Sequence, residues 1–308
     1  MRVNSPDSIR FRVNSFFALT KPGIIRTLLI TTVPTMFVAE KGTPSLWLIV
    51  ATMIGGSLAA AGANSFNMVL DVDIDKRMNR TSNRPLVTGA ITTKEATVFA
   101  FVLEVLAFIW LLGFVNLLSA FLAISATAFY VFVYTMWLKR SSTSNIVIGG
   151  AAGAVPVLIG WAAVTGTLEW APIVLFSVIF FWTPPHFWAL AINYRDDYAA
   201  AEIPMLPVVT GLKETGRQIV FYSVVLIGFS LAFHFVAEMG IYYLVASIGL
   251  GSLFLFFALQ VLLKPIEKNA SRLFRYSITY IFLLFSSMVL DVLLQAQDQI
   301  PNVDQLFY

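Results

Sequence analysis

The stretch Asn67–Pro85, NMVLDVDIDKRMNRTSNRP, ends a long apolar run with three carboxylates in five residues and follows them at once with Lys76, Arg77, Arg80 and Arg84. Asn67, Asp71 and Asp75 are spaced i, i+4, i+8. On a continuing helix they share one face, with about 40° of drift per step, and Asp73 points the opposite way. Acceptors stacked on one face repel unless a cation sits among them. A hard divalent metal is the natural occupant, and Mg²⁺ binds through one or two carboxylates plus substrate phosphates. Arg80 and Arg84 suit a diphosphate, because guanidinium forks match phosphate oxygens. The plainer reading is a mixed-charge cap at a membrane edge. Ionisable groups at such depth are expensive and mark function, which favours the metal and diphosphate.

Outward from this stretch, the chain is apolar to a degree that excludes an ordinary soluble globule: 308 residues, 58% hydrophobic, 12% charged, with a mean hydropathy of +0.81. The expected fold is all-α and polytopic, a single domain over residues 1–308 whose solvent is the lipid bilayer. There is no cysteine, which removes disulfides, thiolate metal sites and cysteine nucleophiles. No nucleic-acid partner is expected. Arg2, Arg10 and Arg12 stand near the start without a short apolar core and cleavage pattern, so no removable signal peptide is expected.

About 20 apolar residues cross a hydrocarbon layer. The sequence predicts nine spans, at 23–39, 45–70, 96–114, 116–137, 145–164, 170–191, 219–237, 241–263 and 276–294. The third and fourth come from one long run, divided at Gly113 to Asn116. With this division every basic residue except Lys41 falls on one side, which by the positive-inside rule predicts an N-terminus in the cytoplasm and a C-terminus outside. Residues 1–20 are then a cytoplasmic tail. The long cytoplasmic loops are about 71–95 and 192–218, and function is expected on that face.

A second polar stretch closes the sixth span: TPPHFWALAINYRDDYAAAEIPMLP, residues 183–207. Asn193 and Asp197 repeat the i, i+4 spacing, so two polar helix ends are expected to face each other. Pro184 and Pro185 are expected to kink that span or shift its start. His186 reads either as a hydrogen-bonded packing residue or as a ligand; His234 reads as packing. Lys139 and Arg140, after the fourth span, serve either as lipid-interface anchors or as phosphate contacts, and Lys21 has the same two readings. Gly149 and Gly153 form a small-xxx-small pattern that favours close helix packing. Glu104, inside the third span, receives no chemical role. Aromatic residues near the second stretch could stabilise an allylic carbocation.

Taken together, Asn67-x3-Asp71-x3-Asp75 with Arg80-Thr81-x2-Arg84-Pro85, Tyr134 with Leu138-Lys139-Arg140, Gly149-Gly150 through Pro156, and TPPHFWALAI continuing to DYAAAEIPMLPVV resemble the UbiA-type intramembrane prenyltransferase superfamily, and within it the heme O branch. The resemblance implies a helical barrel with a central cavity and a Mg²⁺-dependent active site on the cytoplasmic side of a bacterial plasma (inner) membrane. It implies that farnesyl diphosphate alkylates the 2-vinyl group of protoheme IX, that water is added, and that heme O and diphosphate leave. A heme A synthase is a partner that could take the product. Carried over by position, Asn67, Asp71, Asp75 and Asp197 would hold Mg²⁺ and diphosphate. Lys139 would contact diphosphate, with Lys21, Arg80, Arg84 and Arg140 as further candidates, and His186 would face heme.

The wider superfamily commonly has D-x3-D in its second motif, whereas here Asp197 is followed four residues later by Ala201. A second metal held by two aspartates is thereby placed in doubt; Asp196 would point some 100° away on a helix. Two other classes compete. One is prenylation of an aromatic quinone or chlorophyll precursor by the same fold. The other is an ion or phosphate transporter, which expects polar sites near the bilayer midplane rather than at one edge.

Overall fold

The structure is a computed structural model and describes residues 9–298; Arg2 lies outside them. Among the described residues the regular elements are all helical. In order they are α1 (Ile9–Leu19), α2 (Pro22–Glu40), α3 (Leu46–Leu70), α4 (Val72–Arg77), α5 (Thr93–Phe114), α6 (Leu117–Ser141), α7 (Asn145–Thr165), α8 (Trp170–Asn193), α9 (Arg195–Ala200), α10 (Leu206–Val209), α11 (Leu212–Val236), α12 (Ile241–Leu263) and α13 (Glu267–Asp298). Nine of these, α2, α3, α5 to α8 and α11 to α13, are long and apolar enough to cross a membrane.

The boundaries follow from local chemistry. Ser45 caps α3 by accepting from Leu48 N at 3.2 Å. Thr92 and Glu95 form a reciprocal capping box at the start of α5. The long apolar run divides where predicted: the chain leaves helical geometry at Val115, and extended Asn116 caps α6 by accepting from Ser119 N at 2.8 Å. Asn116 also donates to the Ala162 carbonyl on α7 at 2.7 Å, tying the turn to its neighbour.

The segments read as tail and loops carry short helices, and two expectations need correction, a shifted start of α8 and the starts of the seventh and ninth spans. Residues 9–19 of the expected tail are a helix, held by an Arg12–Glu95 ion pair at 2.5 Å and by Phe16 against Phe99, ring centroids 5.0 Å apart. The expected loops contain α4, α9 and α10. Pro184 and Pro185 neither interrupt α8 nor move its start from Trp170. The seventh and ninth spans begin earlier than read, at Leu212 and Glu267, because helices tolerate polar first turns outside the apolar window.

The spans pack as two groups of helices sharing α7. One group is α2, α3, α5, α6 and α7; the other is α7, α8, α11, α12 and α13, with α13 returning to α2. The seam between α2 and α7 is close: a Cβ placed on Gly160 would lie 2.5 Å from the Thr32 carbonyl oxygen, so only glycine lets these backbones meet. Outward faces keep large apolar groups, Phe101 and Ile109 on α5 being 64% and 60% exposed, as a lipid-facing surface requires. Many buried hydroxyls bond back to the helix itself, as Ser65 does to Ala61 O, Thr183 to Ile179 O and Ser223 to Ile219 O, which satisfies them without water.

Candidate active site

The two groups enclose a cavity of ≈ 410 Å³. One end is lined by Lys21, Asn67, Asp71, Asp75, Arg80, Arg84 and Lys139; the rest is largely apolar, from Gly56 and Ala60 on α3 through Gly153 and Pro156 on α7 to Trp182, His186 and Phe187 on α8. Eight candidates from distant stretches, those seven and His186, therefore meet in one space.

Asp71 is the centre of the polar end. The α3 ladder breaks there (φ −99°, ψ 8°), so Asp75 belongs to the separate helix α4 and not to a continuing α3. The backbone bonds Asp71 N to Asn67 O and Asp75 N to Asp71 O, at 3.0 and 2.8 Å, still run across the break. Asp71 is fully buried. Its Oδ2 accepts from Asn67 Nδ2 at 2.7 Å and from Lys139 Nζ in a short ion pair. Asn67 uses both of its donors, accepting from Lys21 Nζ at 2.6 Å and donating a second time to Thr135 Oγ1 at 3.2 Å. One Arg84 nitrogen donates to both oxygens of Asp75, at 2.8 and 2.6 Å.

Arg140 does not line the cavity. It pairs bidentately with Asp73 at 2.7 and 2.8 Å and donates to the Leu70 carbonyl that ends α3, at 2.8 Å. Its guanidinium holds the Asp73 carboxyl down at about 2. Burial, with Arg84 and Lys139 close by, lowers the Lys21 ammonium to about 7. Lys21 stands in left-handed geometry just before Pro22, the turn that carries its side chain to Asn67.

The carboxylates thus do not require a metal to relieve repulsion, because a basic partner already stands beside each: Lys139 at Asp71, Arg140 at Asp73, Arg84 at Asp75. Among the described residues no three acidic or histidine side chains converge as a metal cage. One feature does fit a cation. Asp71 Oδ1 is buried without a hydrogen-bond partner, an uncommon state for a charged atom. A Mg²⁺ that arrives with a diphosphate and keeps phosphate and water ligands needs few protein oxygens, and Asp71 has one free.

Asp197 departs from the expected facing site. α8 ends at Asn193 and the chain turns at Tyr194, so the i, i+4 pairing does not form on one helix. Asp197 lies outside the cavity, its oxygens accepting from Asn79 Nδ2 and Arg80 N, each at 3.2 Å. It holds the segment that carries Arg80, whose guanidinium stacks on Tyr194 at 5.2 Å. The glycine reading also divides: a Cβ on Gly149 would clash with the Tyr134 ring, as close packing requires, while Gly153 faces open cavity.

His186 sits between Trp182 (4.3 Å, 19°) and Phe274 (4.7 Å, 26°), with Nδ1 2.6 Å from Ser277 Oγ. Sequence reasoning passed over Tyr130, Thr135 and Tyr198, which line the cavity or bond its polar end. Tyr130 and Tyr134 stack at 5.4 Å within residues Phe129–Leu138 of α6, which are π-helical, a feature that concentrates at functional sites. A run of aromatic and β-branched residues gave no periodic sign of it.

A bundle with one basic-lined cavity end and an apolar remainder defines a class, membrane enzymes that hold a diphosphate at the surface and its hydrocarbon inside. The chain belongs to the UbiA prenyltransferase family, whose model matches residues 28–286. It is 48% identical over 288 residues to a protoheme IX farnesyltransferase of Clavibacter sepedonicus, covering 92% of this chain and 94% of that one. It is 48% identical over 289 residues to one from Synechocystis, covering 93% and 92%. Among solved structures, a UbiA homolog from Aeropyrum pernix K1 superposes with a TM-score of 0.71 at 16% identity, covering 88% of this chain and 98% of that one. A UbiA homolog from Archaeoglobus fulgidus bound to DMAPP and Mg²⁺ gives 0.63 at 16%, covering 88% and 99%. At that identity the likeness is one of fold.

Proposed function

We propose that this protein transfers the farnesyl group of farnesyl diphosphate to the 2-vinyl group of protoheme IX, with addition of water, giving heme O and diphosphate. The observation that carries the reading is one cavity whose two ends differ: a cationic end of Lys21, Arg80, Arg84 and Lys139 around Asp71, and an apolar, aromatic end with His186. The first suits a diphosphate and the second a prenyl chain and a flat macrocycle. The relatives' shared name selects protoheme over a quinone or chlorophyll precursor. The same name gives no support to a transporter.

Lys139, Lys21 and Arg84 bind the diphosphate and stabilise the charge that grows on it as the farnesyl C1–O bond breaks. Asp71 would hold through Oδ1 a Mg²⁺ that arrives with the diphosphate, and Asp75 would join it once Arg84 turns to the phosphate; the metal would supply further neutralisation of the leaving group. Asn67 orients Lys21 and Asp71, and Asp197 holds the Arg80 segment. The faces of Tyr130 and Tyr134 stabilise the allylic cation, and the apolar walls keep bulk water from it. The vinyl π electrons form the new C–C bond, water adds its oxygen to the resulting cation, and its proton leaves with diphosphate. We place the site on the cytoplasmic face of a bacterial plasma membrane, the heme O produced passing to a heme A synthase.

The test is mass analysis of hemes after incubating the purified protein with protoheme, farnesyl diphosphate and Mg²⁺. Heme O should form, and chelation of Mg²⁺ should stop it. Folded protein that prenylates 4-hydroxybenzoate and leaves protoheme unchanged would overturn the substrate.

A further inference from the structure

Ser277 on α13 makes two contacts with one hydroxyl. Its Oγ lies 2.7 Å from the Phe274 carbonyl oxygen and 2.6 Å from His186 Nδ1. A hydroxyl has a single proton, and a carbonyl oxygen can only accept. With that proton given to Phe274 O, Oγ faces Nδ1 as an acceptor, and Nδ1 carries the ring hydrogen. The opposite tautomer would turn the hydroxyl toward Nδ1 and leave one bond in place of two. Ser277 is fully buried, so no water replaces the lost bond. The chain N–H···O–H···O=C also polarises in one direction, each bond strengthening the next.

The ring has little freedom to escape this arrangement. It is stacked on both faces, and Trp182 Nε1 donates to the Ser277 carbonyl at 2.9 Å. Nε2 has no hydrogen-bond partner among the described residues, and His186 lines the cavity.

We propose that Ser277 is a positioning residue that fixes His186 in the Nδ1–H tautomer, so that Nε2 offers a bare lone pair to the cavity as an axial ligand for the iron of a metalloporphyrin. The proposal rests on the heme-substrate reading above and narrows it. In this tautomer Nε2 cannot donate to a propionate carboxylate, so the ring reads the metal and not the porphyrin's acid groups. A hydrogen bond at the far nitrogen fixes a ligating imidazole and raises its basicity, and losing it costs about 10–100-fold in metal affinity.

The full-length protein in lipid nanodiscs is titrated with ferric protoheme and with metal-free protoporphyrin IX. Binding is followed by absorption and electron paramagnetic resonance, and the iron–histidine stretching band by Raman scattering after reduction. Wild type should give a histidine-ligated spectrum that His186→Ala abolishes. Ser277→Ala should weaken protoheme about 10–100-fold and lower the stretching frequency, with binding of metal-free porphyrin and of farnesyl diphosphate unchanged; the latter also reports that the variant is folded. Ser277→Thr, which keeps the hydroxyl, should restore the band. Should Ser277→Ala fail to fold, wild type alone decides: protoheme bound and farnesylated without a histidine signature overturns the proposal and leaves the activity standing. An unshifted band in folded Ser277→Ala does the same. Protein that binds farnesyl diphosphate but neither porphyrin overturns the substrate reading itself.

Discussion

Two buried aspartates, Asp71 and Asp291, make the most instructive comparison in the molecule. Both are fully buried, each beside a helix end. Asp291 lies on α13 opposite the start of α12, where it accepts from Gly240 N at 2.5 Å, Tyr243 N at 3.1 Å and Gln295 Nε2 at 2.9 Å. All of its donors are neutral parts of the fold, and both oxygens are used. Asp71 has a cation and an amide on one oxygen, no hydrogen bond on the other, where only Arg140 Nη2 stands at 4.0 Å, and a cavity beside it. Burial and charge are the same in both, so neither alone marks function. What separates them is whether the fold itself has placed a hydrogen bond on both oxygens.

Replacing Asp71 should break this comparison most severely. Asp71→Asn keeps the size and the Asn67 contact and should lower heme O formation at least about 100-fold, as removal of a group acting on the developing charge does, with the protein still inserted and monodisperse. Asn is the informative change, since Asp71→Ala would strand Lys139 and destabilise the fold as well. Near-normal heme O by mass analysis would remove Asp71 from the chemistry.

Asp291→Ala should do the reverse, costing about 1–3 kcal/mol of stability through unsatisfied helix donors, seen as a lower thermal midpoint in detergent. Turnover below that midpoint should be unchanged. A loss of turnover without a loss of stability would erase the distinction between the two carboxylates.

Arg84→Lys keeps the charge, and a single ammonium can still meet both Asp75 oxygens as one Arg84 nitrogen does, but it loses the planar fork that suits a diphosphate. The Michaelis constant for farnesyl diphosphate should rise several-fold, while that for protoheme stays put. Smallest of all should be Lys41→Ala. The Lys41–Glu238 pair at 3.2 Å has both side chains 79% exposed, and such pairs contribute little, so neither thermal midpoint nor turnover should change measurably.

The spans were legible in the sequence because hydropathy and charge placement report the same bilayer boundaries; even the break at Gly113 to Asn116 followed from the length of the apolar run, though the capping by Asn116 did not. The polar end was legible as a set of residues but not as a set of partners. Spacing placed Asn67, Asp71 and Asp75 together, yet it could not show that Lys139 and Arg84 already neutralise them, since those contacts span 68 and nine residues. Asp197 misled because its spacing copied a helix that ends at Asn193. Ser277 carried no signal: one serine in an apolar helix acquires meaning only from the ring it touches.

The π-helical segment has a further consequence, one of phase. A ladder closed at i+5, as in the backbone bond from Lys139 N to Tyr134 O, advances less per residue than an α-helix, so the azimuth of every later side chain lags. Lys139 follows that segment directly, and its aim at Asp71 is the accumulated lag. Deleting one residue within Phe129–Leu138 would swing Lys139 by about 100°, away from its partner, with composition and span length almost unchanged. The ion pair at the centre of the polar end is set by a count of residues as much as by their identity.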